Sequence, residues 1–286
     1  MKISSILELL LLASVWGASY LFARIAAPVL GPVWLTELRV LLSGLTILLF
    51  SMRSNVVEEI RENLVPLFIL GCINLAIPFV LFAIAALYLP AGFTAILNAT
   101  APLFGTIIAF LWLREKLTWS SFAGLIIGFA GVIVLVGWTS IPMTTSFVGS
   151  TMAGLLGALM YAIAAPYAKN KLSGVSSIAI STGSQLSAAV VLLPLIPFFL
   201  PTSSISTEVI GVVVALALFS TALAYILYFR LISNIGVSKT LTVTYLVPLF
   251  AIFWGAIVLD EPITRSMLFG CGLILSGTAI AISKST

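Results

Sequence analysis

Residues 98–124, NATAPLFGTIIAFLWLREKLTWSSFAG, and residues 244–270, TYLVPLFAIFWGAIVLDEPITRSMLFG, carry one pattern twice, 146 residues apart. Pro102-Leu103-Phe104 in the first stretch matches Pro248-Leu249-Phe250 in the second. Leu113, Glu115, Thr118, Ser120 and Gly124 then match Leu259, Glu261, Thr264, Ser266 and Gly270 without a gap, and Gly131 matches Gly277 beyond them. Toward the N-terminus, an offset one residue shorter sets Trp16 against Tyr161 and Arg24 against Lys169. Self-similarity at a fixed spacing marks a repeated structural unit. Chance supplies a triplet, not an ordered series.

Lipid is the natural solvent of this unit. Of the 286 residues, 61% are hydrophobic and 8% charged, whereas a soluble domain carries roughly a quarter charged residues. Apolar runs against breaks predict ten spans, at about 5–27, 32–51, 64–88, 91–113, 119–138, 151–169, 176–199, 208–231, 237–259 and 265–283. Most are about 20 residues, enough to cross a hydrocarbon core of about 30 Å. The opening run continues through Trp16 and Tyr20 without a small-x-small cleavage site and reads as the first span, not a signal peptide. Backbone polar groups in lipid must be satisfied internally, so the spans are helices.

Five spans per half is an odd number, so the second half runs upside down relative to the first. The expected fold is all-α: ten transmembrane helices as two inverted five-helix repeats, residues 1–140 and 141–286. Inverted repeats of this kind belong to secondary transporters, with the substrate site near the midplane between the halves. With a cytoplasmic N-terminus, Lys2, Arg53, Arg61, Arg114, Lys116, Lys169, Lys171, Arg230, Lys239 and Lys284 fall on the cytoplasmic side. Only Arg24, Arg39 and Arg265 fall in the outer half. The positive-inside rule then predicts a multi-pass protein of the cell (inner or plasma) membrane with both termini cytoplasmic.

The same composition removes other classes. The isoelectric point is about 9.2, but the basic residues are scattered singly, so nucleic acid is not an expected partner. With no His and two distant Cys, Cys72 and Cys271, neither a metal site nor a disulfide is expected. There is no phosphate-cradling G-x-x-x-x-G-K-[ST] loop, and no cofactor is expected. An intramembrane enzyme is disfavoured by the lack of His, of paired deep carboxylates and of a metal motif.

The chain resembles the EamA type of the drug/metabolite transporter superfamily over essentially its full length. Trp16-Gly17, Arg39 and the two Pro-to-Glu blocks, Pro102 to Glu115 and Pro248 to Glu261, carry the resemblance. It implies a ten-helix fold of two inverted five-helix repeats, and export or exchange of small metabolites such as amino acids. Which metabolite it does not imply.

Pseudosymmetry filters candidate site residues, because a residue on the repeat interface tends to have a mate there. The offsets pair Trp16 with Tyr161, Asn74 with Ser220, Asn98 with Thr244 and Pro102 with Pro248. Each pair is polar, aromatic or helix-breaking within aliphatic helices, and polar groups in spans face the bundle interior or a wet cavity. A helical Pro frees the carbonyl four residues earlier. Pro78 thereby frees Asn74, Pro102 frees Asn98, and Pro248 frees Thr244. The functional reading is a substrate site of carbonyls, amides and hydroxyls walled by Trp16, Tyr20, Tyr161, Tyr225 and Tyr245. The plainer reading is that Asn and Thr re-satisfy carbonyls freed by kinks, and that Tyr20, Tyr225 and Tyr245 pack or sit at an interface.

Charges in the outer half divide differently. Arg24, Glu37 and Arg39 lie inside spans one and two, where a charge is costly unless paired. Arg24 and Glu37 have similar depth and are expected to pair across the hairpin, while Arg39 lies deeper and points to another face. Gating or proton coupling is the alternative use of all three. Glu115 and Glu261 are expected to accept from amides opening the next helix, with Thr118 and Thr264 as N-caps. Gly124-x-x-x-Gly128 allows close helix approach, for packing inside the monomer first and a homodimer second.

These readings converge on a secondary transporter of small organic metabolites, amino acids favoured, alternating access around a midplane cavity in the lipid bilayer. Nucleobases, nucleosides or drug-like cations are the alternative cargo. Dianionic sugar phosphates would call for several deep Lys or Arg, which the chain lacks.

Overall fold

The computed structural model describes residues 3–51, 55–112, 114, 117–139, 141–201 and 203–282, without the side chains of 237 and 238. Lys2, Arg53, Leu113, Glu115, Lys116 and Lys284, which entered the repeat and charge arguments, lie outside the described residues. All regular structure among the described residues is helical.

The first helix, α1 (Ile3–Ser51), has 49 residues, about 74 Å at 1.5 Å per residue and more than twice a hydrocarbon core. Gly31 interrupts it with φ 76° and ψ 157°, a backbone that glycine adopts without Cβ strain. The arms before and after it, 3–30 and 32–51, fold back on each other. Ser19, Tyr20 and Ala23 share a recess with Leu35, Thr36 and Arg39.

A short α2 (Val56–Glu62) follows. Then come α3 (Leu64–Tyr88), α4 (Ala91–Trp112), α5 (Trp119–Gly137), α6 (Thr145–Lys171), α7 (Ser177–Phe198), α8 (Thr207–Ile235), α9 (Val243–Leu259) and α10 (Arg265–Ile282). Among the described residues eight helices are long and apolar enough to cross a membrane, and α9 is a shorter apolar one. Large apolar side chains cover the outside of the bundle, with Trp119 87% and Phe198 80% exposed, as a lipid-facing surface requires. Thr118, Thr144, Ser176 and Ser206 cap α5, α6, α7 and α8, each accepting from the amide three residues on. The Thr144 cap starts α6 six residues before the expected 151.

The interruptions have local causes. Proline lacks an N–H, and α3 answers Pro78 with a π turn, Cys72–Ala76, from which the Ile77 amide reaches five residues back to Cys72 O. A second π turn, Leu218–Leu223, lies in α8, at the 146-residue equivalent of the first. Before Pro102, α4 breaks at Ala99–Thr100, and Thr100 Oγ1 donates to Leu97 O. The expected span 237–259 breaks at 241–242. There the Thr242 and Thr244 hydroxyls donate to the carbonyls of Lys239 and Leu241 and compete with the helix ladder. Among the described residues two non-glycines have positive φ, Arg114 at 55° and Asp260 at 52°, and they too are 146 residues apart.

The glycines of α5 meet those of α10. A methyl at Gly131 would come within 2.8 Å of Ile274 N, and one at Gly270 within 3.0 Å of Gly131 O. Ser120 and Ser121 in α5 donate to Ile280 O at 3.1 Å and Ala281 O at 2.9 Å. The Gly124-x-x-x-Gly128 row is thus used inside the monomer.

Candidate functional site

A cavity of about 390 Å³ lies among α1, α3, α4, α6, α8, α9 and α10, within the size range of small-molecule sites. Trp16 and Tyr20 from α1, Asn74 from the first π turn, Asn98 from α4 and Tyr161 from α6 line it. Facing them are Ser220 from the second π turn, Tyr225 from α8, and Thr244 and Tyr245 from α9. Arg39, Pro102 and Pro248 are also on the wall. Of the ten expected substrate-contacting positions, Pro78 is absent from this wall; it is buried, and the neighbouring Phe79 takes the place. The π turn rotates the helix there, so proline shapes the wall without forming it.

The plainer reading of the polar residues divides. Thr244 does bond a backbone carbonyl, Leu241 O at 2.8 Å. Asn98 does not: its Nδ2 donates to Tyr20 Oη at 2.6 Å, and its Oδ1 is buried without a partner. Ser220 Oγ and Thr278 Oγ1, on the same wall, are likewise buried without partners. Buried polar atoms are nearly always satisfied, so three unpartnered ones in the wall of one cavity mark it as unusual.

The aromatic wall is braced from behind. Trp16 packs on Tyr228 with ring centroids 5.4 Å apart, and Tyr161 stacks on Phe82 at 5.7 Å. Tyr20 meets the same Phe82 edge-on at 6.2 Å. Sequence reasoning missed Ser19, Phe79, Tyr228 and Thr278 as wall residues. Tyr228 had a signal, since it lies three residues beyond Tyr225 and shares its helix face. Phe79 and Thr278 had none, because one phenylalanine or threonine in an apolar helix is unremarked.

The three charges in α1 separate. The expected Arg24–Glu37 pair does not form. Arg24 Nη1 donates to the carbonyls of Ala86 and Leu87, each at 2.7 Å, and its Nε lies 3.6 Å from Glu261 Oε1. The carbonyls ending α3 offer Arg24 better-placed acceptors than its own hairpin does. Glu37 is 4% exposed, and its Oε2 is buried without a partner. Arg39 lies on the cavity wall, with Nε donating to Thr221 Oγ1 at 3.1 Å and its guanidinium carbon 3.7 Å from the Phe79 ring centroid.

Glu261 also departs from expectation. Its Oε2 accepts from Ala91 N at 2.9 Å, so it caps α4 rather than the helix that follows it. Burial pushes this loop carboxyl above the usual range, against the Ala91 amide and Arg24. Thr264 caps α10 as expected, accepting from Met267 N. At the other end of the molecule Arg230 pairs with Glu8 at 3.2 Å, and Glu59 of α2 accepts from Ser176 N at 2.7 Å. Hydrogen bonds from Ser176 hold the Glu59 carboxyl below its ordinary value.

Beyond the main cavity, Ser19, Tyr20, Arg39, Phe79 and Tyr161 also border a recess of about 40 Å³ reaching Ala23, Leu35 and Thr36. This is little more than one water molecule's share of volume. These five side chains separate the cavity from the recess, and Leu241 and Thr244, also on the cavity wall, are exposed.

Known proteins resemble this chain over nearly its whole length. A solved crystal structure superposes with a TM-score of 0.68 at 19% identity, over 99% of this chain and 98% of that one. An uncharacterized transporter of Archaeoglobus fulgidus is 25% identical over 96% of this chain and 98% of its own length. A "probable terminal-alkyne amino-acid exporter" of Streptantibioticus cattleyicolor is 23% identical over 98% and 94%. An S-adenosylmethionine/S-adenosylhomocysteine transporter of Chlamydia muridarum is 22% identical over 93% and 87%. The EamA-like transporter family matches twice, at residues 3–137 and 149–283. With nearly the whole chain covered, this protein belongs to the EamA-like transporter family, and it is a membrane transporter rather than an enzyme.

Proposed function

We propose that the protein is a secondary transporter that exports or exchanges small organic metabolites, amino acids first, by alternating access of two inverted five-helix repeats. The carrying observation is the cavity of about 390 Å³ walled by aromatic rings and unpartnered polar atoms from both halves of the chain. With α1 counted as two spans at Gly31 and α9 as one, the helices make ten. The two π turns, the two positive-φ residues and the double family match support the repeat. Trp16, Tyr20, Asn74, Asn98, Tyr161, Ser220, Tyr225, Thr244 and Tyr245 contact the solute. The exposed mouth at Leu241 and Thr244 faces the cytoplasm of a cell whose inner or plasma membrane holds the protein, both termini inside. The named activity of the Streptantibioticus relative favours amino acids. That of the Chlamydia relative favours the rival cargo, a nucleoside-bearing solute.

Proteoliposomes preloaded with an amino acid and diluted into a radiolabelled pool of it test the activity. Counterflow above protein-free vesicles is expected, and its absence across the amino acids would refute the cargo. Cysteines introduced singly at Ser146 and Ser173 test the topology. An impermeant reagent applied outside cells should label position 146 and not 173. Labelling of both from one side would remove the ten-span arrangement.

A further inference from the structure

We infer that Arg39 docks a carboxylate of the solute, so that the cavity selects molecules of net charge zero or minus one over cations. The inference rests on the transporter reading and names the substrate class within it.

A guanidinium stays protonated at any physiological pH, so the cavity wall carries a fixed positive charge. No Asp or Glu lines the cavity or the recess behind it. Among the described residues no carboxylate lies within 4.0 Å of Arg39, the ion pairs being Arg24–Glu261 and Arg230–Glu8. Thr221 takes Nε and Phe79 takes one face of the guanidinium. Its two terminal nitrogens have no hydrogen-bond partner among the described residues. Those nitrogens form the fork that grips a carboxylate through two parallel bonds.

Arg24 shows what a structural arginine looks like in this fold, with two helix-end carbonyls at 2.7 Å and a carboxylate beside it. Arg39 has neither. Ser220, next to Thr221 in the chain, adds a buried hydroxyl without a partner on the same wall. Tyr20, Tyr161 and Tyr225 line the same cavity as Arg39, and the faces of their rings attract an ammonium. A zwitterion fits with its carboxylate on Arg39 and its ammonium among the rings. A cation without a carboxylate leaves Arg39 unpaired and adds like charge to the cavity.

Counterflow in proteoliposomes with phenylalanine and leucine, their primary amides, and the amines phenethylamine and 3-methylbutylamine separates the cases. At least one acid should exchange, and its amide and amine should exchange about tenfold more slowly or worse, the scale of a lost charge-assisted hydrogen bond. Arg39→Gln should slow the acid about ten- to hundredfold while the ligand-free protein melts near the wild-type temperature, and Arg39→Lys should restore part of the rate. Amides or amines moving as fast as acids would overturn the inference and leave the transporter reading standing. So would wild-type acid flux in Arg39→Gln, or failure of both variants to fold, which would make Arg39 a structural residue. If no probe moves in the wild type, the amino-acid reading falls and the inference with it.

Discussion

The two ends of the molecule are tied by different means. At the Glu261 end, Arg24 reaches the last carbonyls of α3 while Glu261 holds the first amide of α4, so one ion pair ties α1 to three other segments. At the Glu8 end, the Arg230–Glu8 pair ties α8 to α1 with Arg230 64% exposed, and the cavity opens beside it at Leu241 and Thr244. The same residue types make a clasp in one place and a rim decoration in the other. What differs is the number of backbone groups each charge satisfies.

Arg24→Ala should produce the largest effect. It removes two charge-assisted hydrogen bonds and strands Glu261, which costs about 3–5 kcal/mol for a buried pair. Because Arg24 is 32% exposed, about 2–4 kcal/mol is expected, read as a fall in melting temperature. A cysteine at Thr36, inside the recess, should then become reactive from the Glu261 end. Unchanged stability and unchanged labelling would erase the distinction between the ends.

Next is Asn98→Ala, between the two ends. Solute affinity should fall by roughly twofold to tenfold, the worth of one neutral hydrogen bond, with folded yield near normal. A collapse of yield would return Asn98 to a packing role through Tyr20.

Arg230→Ala should barely register, at less than about 1 kcal/mol, as exposed pairs do. A loss as large as that of Arg24→Ala would make the two ends equivalent.

Smallest is the pH response of Glu59. A carboxyl whose folded value is depressed contributes stability above its unfolded value and loses it as pH falls through the folded one. Thermal melts of wild type and Glu59→Gln should therefore differ at neutral pH and converge below the ordinary carboxylate range, near pH 4. A gap that persists into stronger acid would separate Glu59 from the Ser176 contact.

Much of this was legible in the sequence for a physical reason: lipid forces polar and helix-breaking residues to show themselves against an aliphatic background. Asn74, Asn98, Ser220 and Thr244 stood out that way, and all four line the cavity. The Arg24 partner was not legible. Depth along a hairpin fixes which side chains are level, but the carbonyls of Ala86 and Leu87 belong to a helix whose position only the folded bundle supplies. Pro78 misled in a related way, since the π turn it provokes turns Phe79 to the cavity. The α1 break at Gly31 was readable as a turn, whereas the break at 241–242 depends on hydroxyls choosing backbone carbonyls over solvent.

The seam between α5 and α10 bears on motion. Most helix contacts hold side chains that can change rotamer and let one rod slide on another. Where glycine backbones touch, as at Gly131 and Gly270, nothing can repack, and the contact has a single register. The seam is therefore a rigid contact, and any sliding of one helix on another must take place outside it. Its amides should be the slowest in the protein to exchange with deuterium.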